Sequence, residues 1–98
     1  MAQEQKGTYY TYILQSESTS GLYIGYTSDL EIRLIQHNES KGKYTSNKGP
    51  WILLFAKKHG EKKSAISLER KLKSWKSKKK ILAWIEIEKC ADTDYISV

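Results

Sequence analysis

A small α/β domain, three strands with helices packed against them, is predicted by two periodicities and the punctuation between them. Aromatic and β-branched residues cluster in short runs from Tyr9, from Leu22 and from Trp51. Leucines, isoleucines and tryptophans recur three and four apart after Asp29 and again after Ser64, the spacing of helical faces. Polar segments carrying Ser, Asn and Gly separate these stretches, as turns and loops require.

Taken in order, Tyr9 to Leu14 is aromatic and β-branched and reads as a strand. Gln15 to Gly21 is polar and ends in Gly, a turn signal. Leu22 to Thr27 is a second strand, close enough to the first to form an antiparallel hairpin. Ser28 or Asp29 caps a helix running to about Asn38. Leu30 and Leu34 give it an apolar stripe, to which Ile35 adds. Glu39 to Pro50 reads as a loop. Trp51 to Ala56 is continuously apolar, as expected of a strand covered on both faces, and Gly60 breaks the chain. From Ser64 to Trp75, Ala65, Leu68, Leu72 and Trp75 fall on one helical face. Ser77 caps a third helix, Lys78 to about Glu88, with Ile81, Leu82, Trp84 and Ile85 to bury. The tail from Cys90 to Val98 is expected to be loose, with Tyr95 and Ile96 as the residues able to dock it.

The 98 residues are expected to form a single domain, residues 1–98. The formal charge is +6, and its placement is uneven. Residues 1–56 carry five basic and five acidic side chains. Residues 57–80 carry eleven Lys/Arg against Glu61 and Glu69 alone, and residues 81–98 are net acidic. One basic block suits a polyanion partner; a solvated lysine-rich helix face is the alternative. Cys90 is the only cysteine, which excludes an internal disulfide and a cysteine-based zinc site. That usage suits a reducing, cytoplasmic setting. No apolar run resembles a signal peptide or a membrane span.

Candidate functional residues gather between Tyr10 and His37. Tyr12 and Tyr23 lie on neighbouring strands of the hairpin, where tyrosines ordinarily pack. Gly25 removes a side chain two positions after Tyr23 on the same face, which would let a phosphate approach the Tyr23 hydroxyl. Arg33 and His37 stand four apart and share a helix face beside the core. A guanidinium fork there suits two phosphate oxygens; a structural pair with Asp29 is the alternative. His37 is placed to bond Tyr23 or a phosphate, or to cap the helix C-terminus. Glu69 borders the buried face of the second long helix, with an ordinary salt bridge to Lys73 as its alternative role. Lys71, Lys73, Lys76, Lys78, Lys79 and Lys80 surround Trp75 and can track a nucleic-acid backbone. The loop bearing Lys41, Lys43, Tyr44 and Lys48 adds phosphate contacts and a stacking surface. Trp51 and Trp75 fit core positions.

Several of these residues form a recognisable series: Tyr10-Thr11-Tyr12, Tyr23-Ile24-Gly25-Tyr26-Thr27, Asp29, Arg33 and His37-Asn38, then Lys43-Tyr44-Thr45, Gly49-Pro50-Trp51 and Leu68-Glu69. The series resembles the GIY-YIG nuclease family over roughly residues 8–85, and most resembles its small stand-alone bacterial members. Tyr10 and Thr11 stand where the family name has Gly and Ile. Tyr26 stands where many excision-repair relatives carry Lys, and reads as a nucleic-acid contact. The resemblance implies a three-stranded antiparallel sheet flanked by about three helices, with residues 1–7 and 90–98 as tails. It implies a metal-dependent endonuclease acting on nucleic acid, DNA in particular. Tyr23 would be the general base, Tyr12 would position the nucleophile or phosphate, and Arg33 and His37 would support them. Glu69 would be the single carboxylate ligand of Mg²⁺ or Mn²⁺, which accepts one carboxylate plus waters and substrate phosphate. A free tyrosine titrates near ~10, so a catalytic phenol needs a cation or a base beside it. Two other readings are a binding module with the same fold and little or no cleavage, and a protein-interaction subunit whose basic helices meet an acidic partner.

Overall fold

The sheet is built outward from β1, Tyr9–Ser16, which pairs antiparallel on both sides. On one side lies β2, Leu22–Thr27, and on the other β3, Trp51–His59. The helices are α1, Leu30–Asn38, α2, Lys62–Trp75, and α3, Lys78–Ala91. The computed structural model describes residues 8–39, 48–91 and 95–96. The three-stranded antiparallel sheet and three helices agree with the reading of the sequence. The expected loose tail from residue 90 is corrected: α3 continues to Ala91. Tyr95–Ile96 then add a two-residue strand, β4, against Ala56 and Lys57, giving the order β2-β1-β3-β4.

Alternation along β1 divides the molecule into two layers. Ile13 faces α2 and α3, where it packs with Ile24, Phe55, Leu72, Ile81 and Ile85. Tyr12 and Leu14 face the other way, toward α1, with Trp51, Ala56, Leu30 and Leu34. The apolar run of β3 serves both faces, and one irregularity explains how. Ile13 pairs with Phe55 but Leu14 pairs with Leu53, so Leu54 is an extra residue in the ladder. The bulge lets Leu54 and Phe55 pack on the same side although they are consecutive.

The hairpin turn is tied by Ser16, whose Oγ accepts the amides of Ser18 and Thr19 at 3.2 and 3.0 Å. Asp29 caps α1 by accepting from the Ile32 amide at 3.1 Å. Asn38 ends α1 as a two-bond clamp on β3: it accepts from the Trp51 amide at 2.6 Å and donates to the Trp51 carbonyl at 3.1 Å. One expectation about α1 is corrected. Ile35 is 51 % exposed, and His37, not Ile35, is the helix residue buried against the sheet.

Thr11 fastens α2 to the sheet from a fully buried position. Its hydroxyl donates to the Ala65 carbonyl at 2.8 Å, so His59 must donate its Nε2 proton to Thr11 Oγ1 at 2.9 Å. Ser77 caps α3 through the Lys80 amide at 3.1 Å. Trp75 is half-buried and meets Trp84 edge-on, with ring centres 6.2 Å apart. Lys80 and Lys71 lie over the Trp75 ring at 4.8 and 5.9 Å.

Candidate active site

Tyr12, Gly25 and Tyr23 sit together because of strand register. Tyr12 is paired with Gly25 across the β1–β2 ladder. A Cβ at Gly25 would lie 2.7 Å from Tyr12 Oη and 3.1 Å from Tyr23 Cε2. The space vacated at Gly25 is therefore filled by the Tyr12 phenol, rather than being held open for a phosphate.

Tyr12 is 2 % exposed and its hydroxyl joins two residues of α1. Arg33 Nε donates to it at 3.4 Å, and it meets His37 Nε2 at 2.9 Å. Burial pushes the Tyr12 phenol up to about 12, with the hydrogen bond from Arg33 pulling the other way. Burial likewise holds His37 down to about 4, helped by the charge of Arg33. At neutral pH both groups are uncharged. The Tyr12 proton, left unpaired, would forfeit a bond inside the core, so Tyr12 donates and His37 Nε2 accepts. His37 then carries its proton on Nδ1, the opposite tautomer to His59.

The direction of these bonds decides what each group can do. Tyr12 remains a phenol at neutral pH. His37 is 2 % exposed and packs against Tyr23 with ring centres 4.7 Å apart. The imidazole is thus covered by Tyr12 and the Tyr23 ring. Arg33 is half-buried, as its helix face requires, and gives a second bond to Gln36 Oε1 at 2.9 Å. The side-chain bonds of Arg33 thus go to Tyr12 and Gln36, while Asp29 caps the helix through Oδ1. The bond to Tyr12 holds the guanidinium in its charged form.

Tyr12, Tyr23, Gly25, Tyr26, Arg33 and Glu69 line one cavity of about 280 Å³. The residues come from β1, β2, α1 and α2. Glu69 pairs with Lys73 at 2.8 Å, but its side chain is only 14 % exposed while that of Lys73 is 51 % exposed. Glu69 is thus largely covered at the cavity edge, while the bond itself is exposed and Lys73 reaches into solvent.

The remaining sequence candidates are distributed around this centre. Lys73, Lys76 and Lys78 line an adjoining groove, and Lys78 Nζ also donates to the Ser20 carbonyl at 2.6 Å. Lys71, Lys79 and Lys80 are exposed beyond it. Lys48 lies by the hairpin turn, its carbonyl accepting from Ser16 and Ser18. Lys41, Lys43 and Tyr44 fall outside the described residues. Trp51 is buried, as expected.

The GIY-YIG catalytic domain model matches residues 8–81 of the chain. The chain belongs to the GIY-YIG family. That places it among nuclease-type domains. The chain is 40 % identical over 79 residues to a UPF0213 protein of Bacillus pumilus, covering 80 % of each. It is 50 % identical over 62 residues to the UPF0213 protein YsiG of Lactococcus lactis, covering 62 % of this chain and 59 % of that one. The solution NMR structure of a UPF0213 protein from Bacillus halodurans superposes with a TM-score of 0.54 at 30 % identity, covering 83 % of this chain and 85 % of the other. Those names carry no activity.

Among the described residues no group of three or more His, Cys, Asp and Glu side chains could enclose a metal ion. The GIY-YIG cavity offers one carboxylate, Glu69, beside tyrosine hydroxyls. That donor set fits a hard cation which keeps water and takes phosphate oxygens, and does not fit a caged structural metal. Reading the sequence missed Gln36, which steadies Arg33, and the clamp made by Asn38. Asn38 could be noticed only as the neighbour of His37 in the family series. No local pattern marks Gln36.

Proposed function

We propose that the protein is a metal-dependent endonuclease that hydrolyses phosphodiester bonds in nucleic acid, with DNA as its substrate. One observation carries this reading: three tyrosines, an arginine and a glutamate from four separate elements line a single cavity beside exposed lysines. Arg33 commits two N–H groups to Tyr12 and Gln36, and its fork has others to meet phosphoryl oxygens as charge develops there. Tyr23, acting as the phenolate after giving up its own proton to solvent, takes the proton of the attacking water. Tyr12, fixed by His37, positions Arg33. Glu69 would hold Mg²⁺ or Mn²⁺, which when bound supplies positive charge at the leaving oxygen. The surrounding lysines hold the strands by their phosphates and add no base preference.

The pairing of Glu69 with Lys73 supports a second reading, a binding module in which the carboxylate is already neutralised. Incubation with flapped, branched, single-stranded and duplex DNA, with and without Mg²⁺ or Mn²⁺, separates the two. The expected result is product only with metal, and none from Glu69→Gln, which should still fold and bind. Normal cleavage by Glu69→Gln in saturating Mg²⁺ removes the ligand role. Binding without cleavage of any substrate favours the module.

A further inference from the structure

A second concavity, about 580 Å³, opens beside the candidate active site at the free edge of β2. Its floor is apolar: Leu22 and Ile24 of β2, Leu72 of α2 and Ile81 of α3. Its rim is cationic, with Lys73, Lys76 and Lys78. Two features join it to the catalytic cavity. Tyr23 lines both, and Lys73 on the rim is bonded to Glu69 in the neighbouring site. We propose that this groove receives one unpaired nucleotide of the substrate, its base on the apolar floor and its flanking phosphates against the lysines.

The inference rests on the nucleic-acid reading above and extends it to a substrate class. The volume lies within the roughly 300–1,000 Å³ typical of sites that enclose a small organic ligand. Lysines around an apolar floor match a heterocycle attached to phosphates. A second copy of the chain fits poorly, since it would bring its own block of eleven basic residues against two acids to the same place. A base inside a duplex must be unstacked before it can enter a concavity, whereas one in a flap, bulge or single strand is already available. The groove therefore selects for an unpaired nucleotide next to the scissile phosphate.

Two substitutions probe the groove. Lys76 has φ 49°, a left-handed conformation that glycine adopts without strain, so Lys76→Gly removes a rim charge and preserves the fold. Leu22→Glu places a negative charge on the half-buried edge of the floor. Affinity is measured with the intact chain in chelator, by anisotropy of a dye label, for a blunt two-stranded DNA duplex and for the same duplex carrying one unpaired 2-aminopurine nucleotide at its end. The unpaired nucleotide should tighten binding by about tenfold, the scale of one base stacked on a protein surface. Both variants should bring that ratio toward unity. If Leu22→Glu does not fold, Lys76→Gly still decides. Equal affinity for the two wild-type complexes overturns the proposal, as does a preference unchanged in Lys76→Gly. Displacement of the DNA carrying the unpaired nucleotide by oligoglutamate as readily as by a dinucleotide also overturns it, in favour of an acidic strand along β2. Because binding is read without metal, a chain that never cleaves but keeps the preference retains the groove and loses only the nuclease reading.

Discussion

Two tyrosines of similar appearance in the sequence have different surroundings, and single substitutions should separate them. Tyr12→Phe takes the donor away from a buried His37 Nε2. An unsatisfied buried acceptor costs about 1–3 kcal/mol, so this variant should melt earlier. Tyr23→Phe keeps its ring against His37 and should melt nearly as wild type. If Tyr23 is the base, its single-turnover cleavage rate should fall by ~10²–10⁴-fold. A near-wild-type rate would pass the role to water alone, and equal losses of rate and affinity would make Tyr23 a substrate contact. The residue types and spacing of this site could be read in the sequence, because strand pairing and helical periodicity fix which side chains share a face. The burial of His37 could not. A polar residue goes inside only when a partner satisfies it, and Tyr12 lies 25 positions away in the chain. Ile35 joins the predicted stripe for the same reason: an apolar count cannot see that a histidine has taken the inward position.

Elements bounded by turn-forming residues on both sides emerge from sequence with their ends in place, as β2 does. β3 runs on past its apolar stretch through Lys57, Lys58 and His59 because β1 supplies backbone partners for them in Tyr9, Tyr10 and Thr11. Cross-strand pairing sets that end, and nothing local announces it. The Leu54 bulge is equally silent, since an uninterrupted apolar run conceals which residues face which side. At the start of α3 a different conflict is visible. Its first turn carries Lys78, Lys79 and Lys80 with no acid, against the polarity of the helix dipole. An anionic partner on this surface would offset that penalty. Replacing all three by Gln should make log affinity for duplex DNA less steep against log salt, by up to about 0.9 for each phosphate no longer neutralised. Titrations at several salt concentrations check this, and an unchanged slope would return these lysines to solvent.

At the scale of the whole molecule, two imidazoles shielded from water link stability to pH. The folded value for His37 is about 4 against an ordinary 6.5, so the unfolded chain takes up its proton first as pH falls. Stability is complete above about 6.5 and drains away as the pH drops toward about 4, by at most about 1.4 kcal/mol per pH unit for one group. His59, also lowered by burial, acts in the same direction. Urea unfolding across this window should show the decline, and His37→Gln should flatten it; a pH dependence unchanged in that variant would mean that His37 takes up its proton equally in the folded and unfolded chain. The layers on the two sides of the sheet meet different demands, and their tryptophans divide accordingly. Trp51 is sealed in the α1 layer, whereas Trp75 lies under Lys71 and Lys80, in edge contact with Trp84. A polyanion that draws those ammonium groups aside changes the electric field on one indole and leaves Trp51 in an unaltered environment. Under the proposed function, the protein would thus carry an intrinsic optical reporter of occupancy on its basic surface. Its emission can follow the arrival of an unlabelled substrate before any bond is cut.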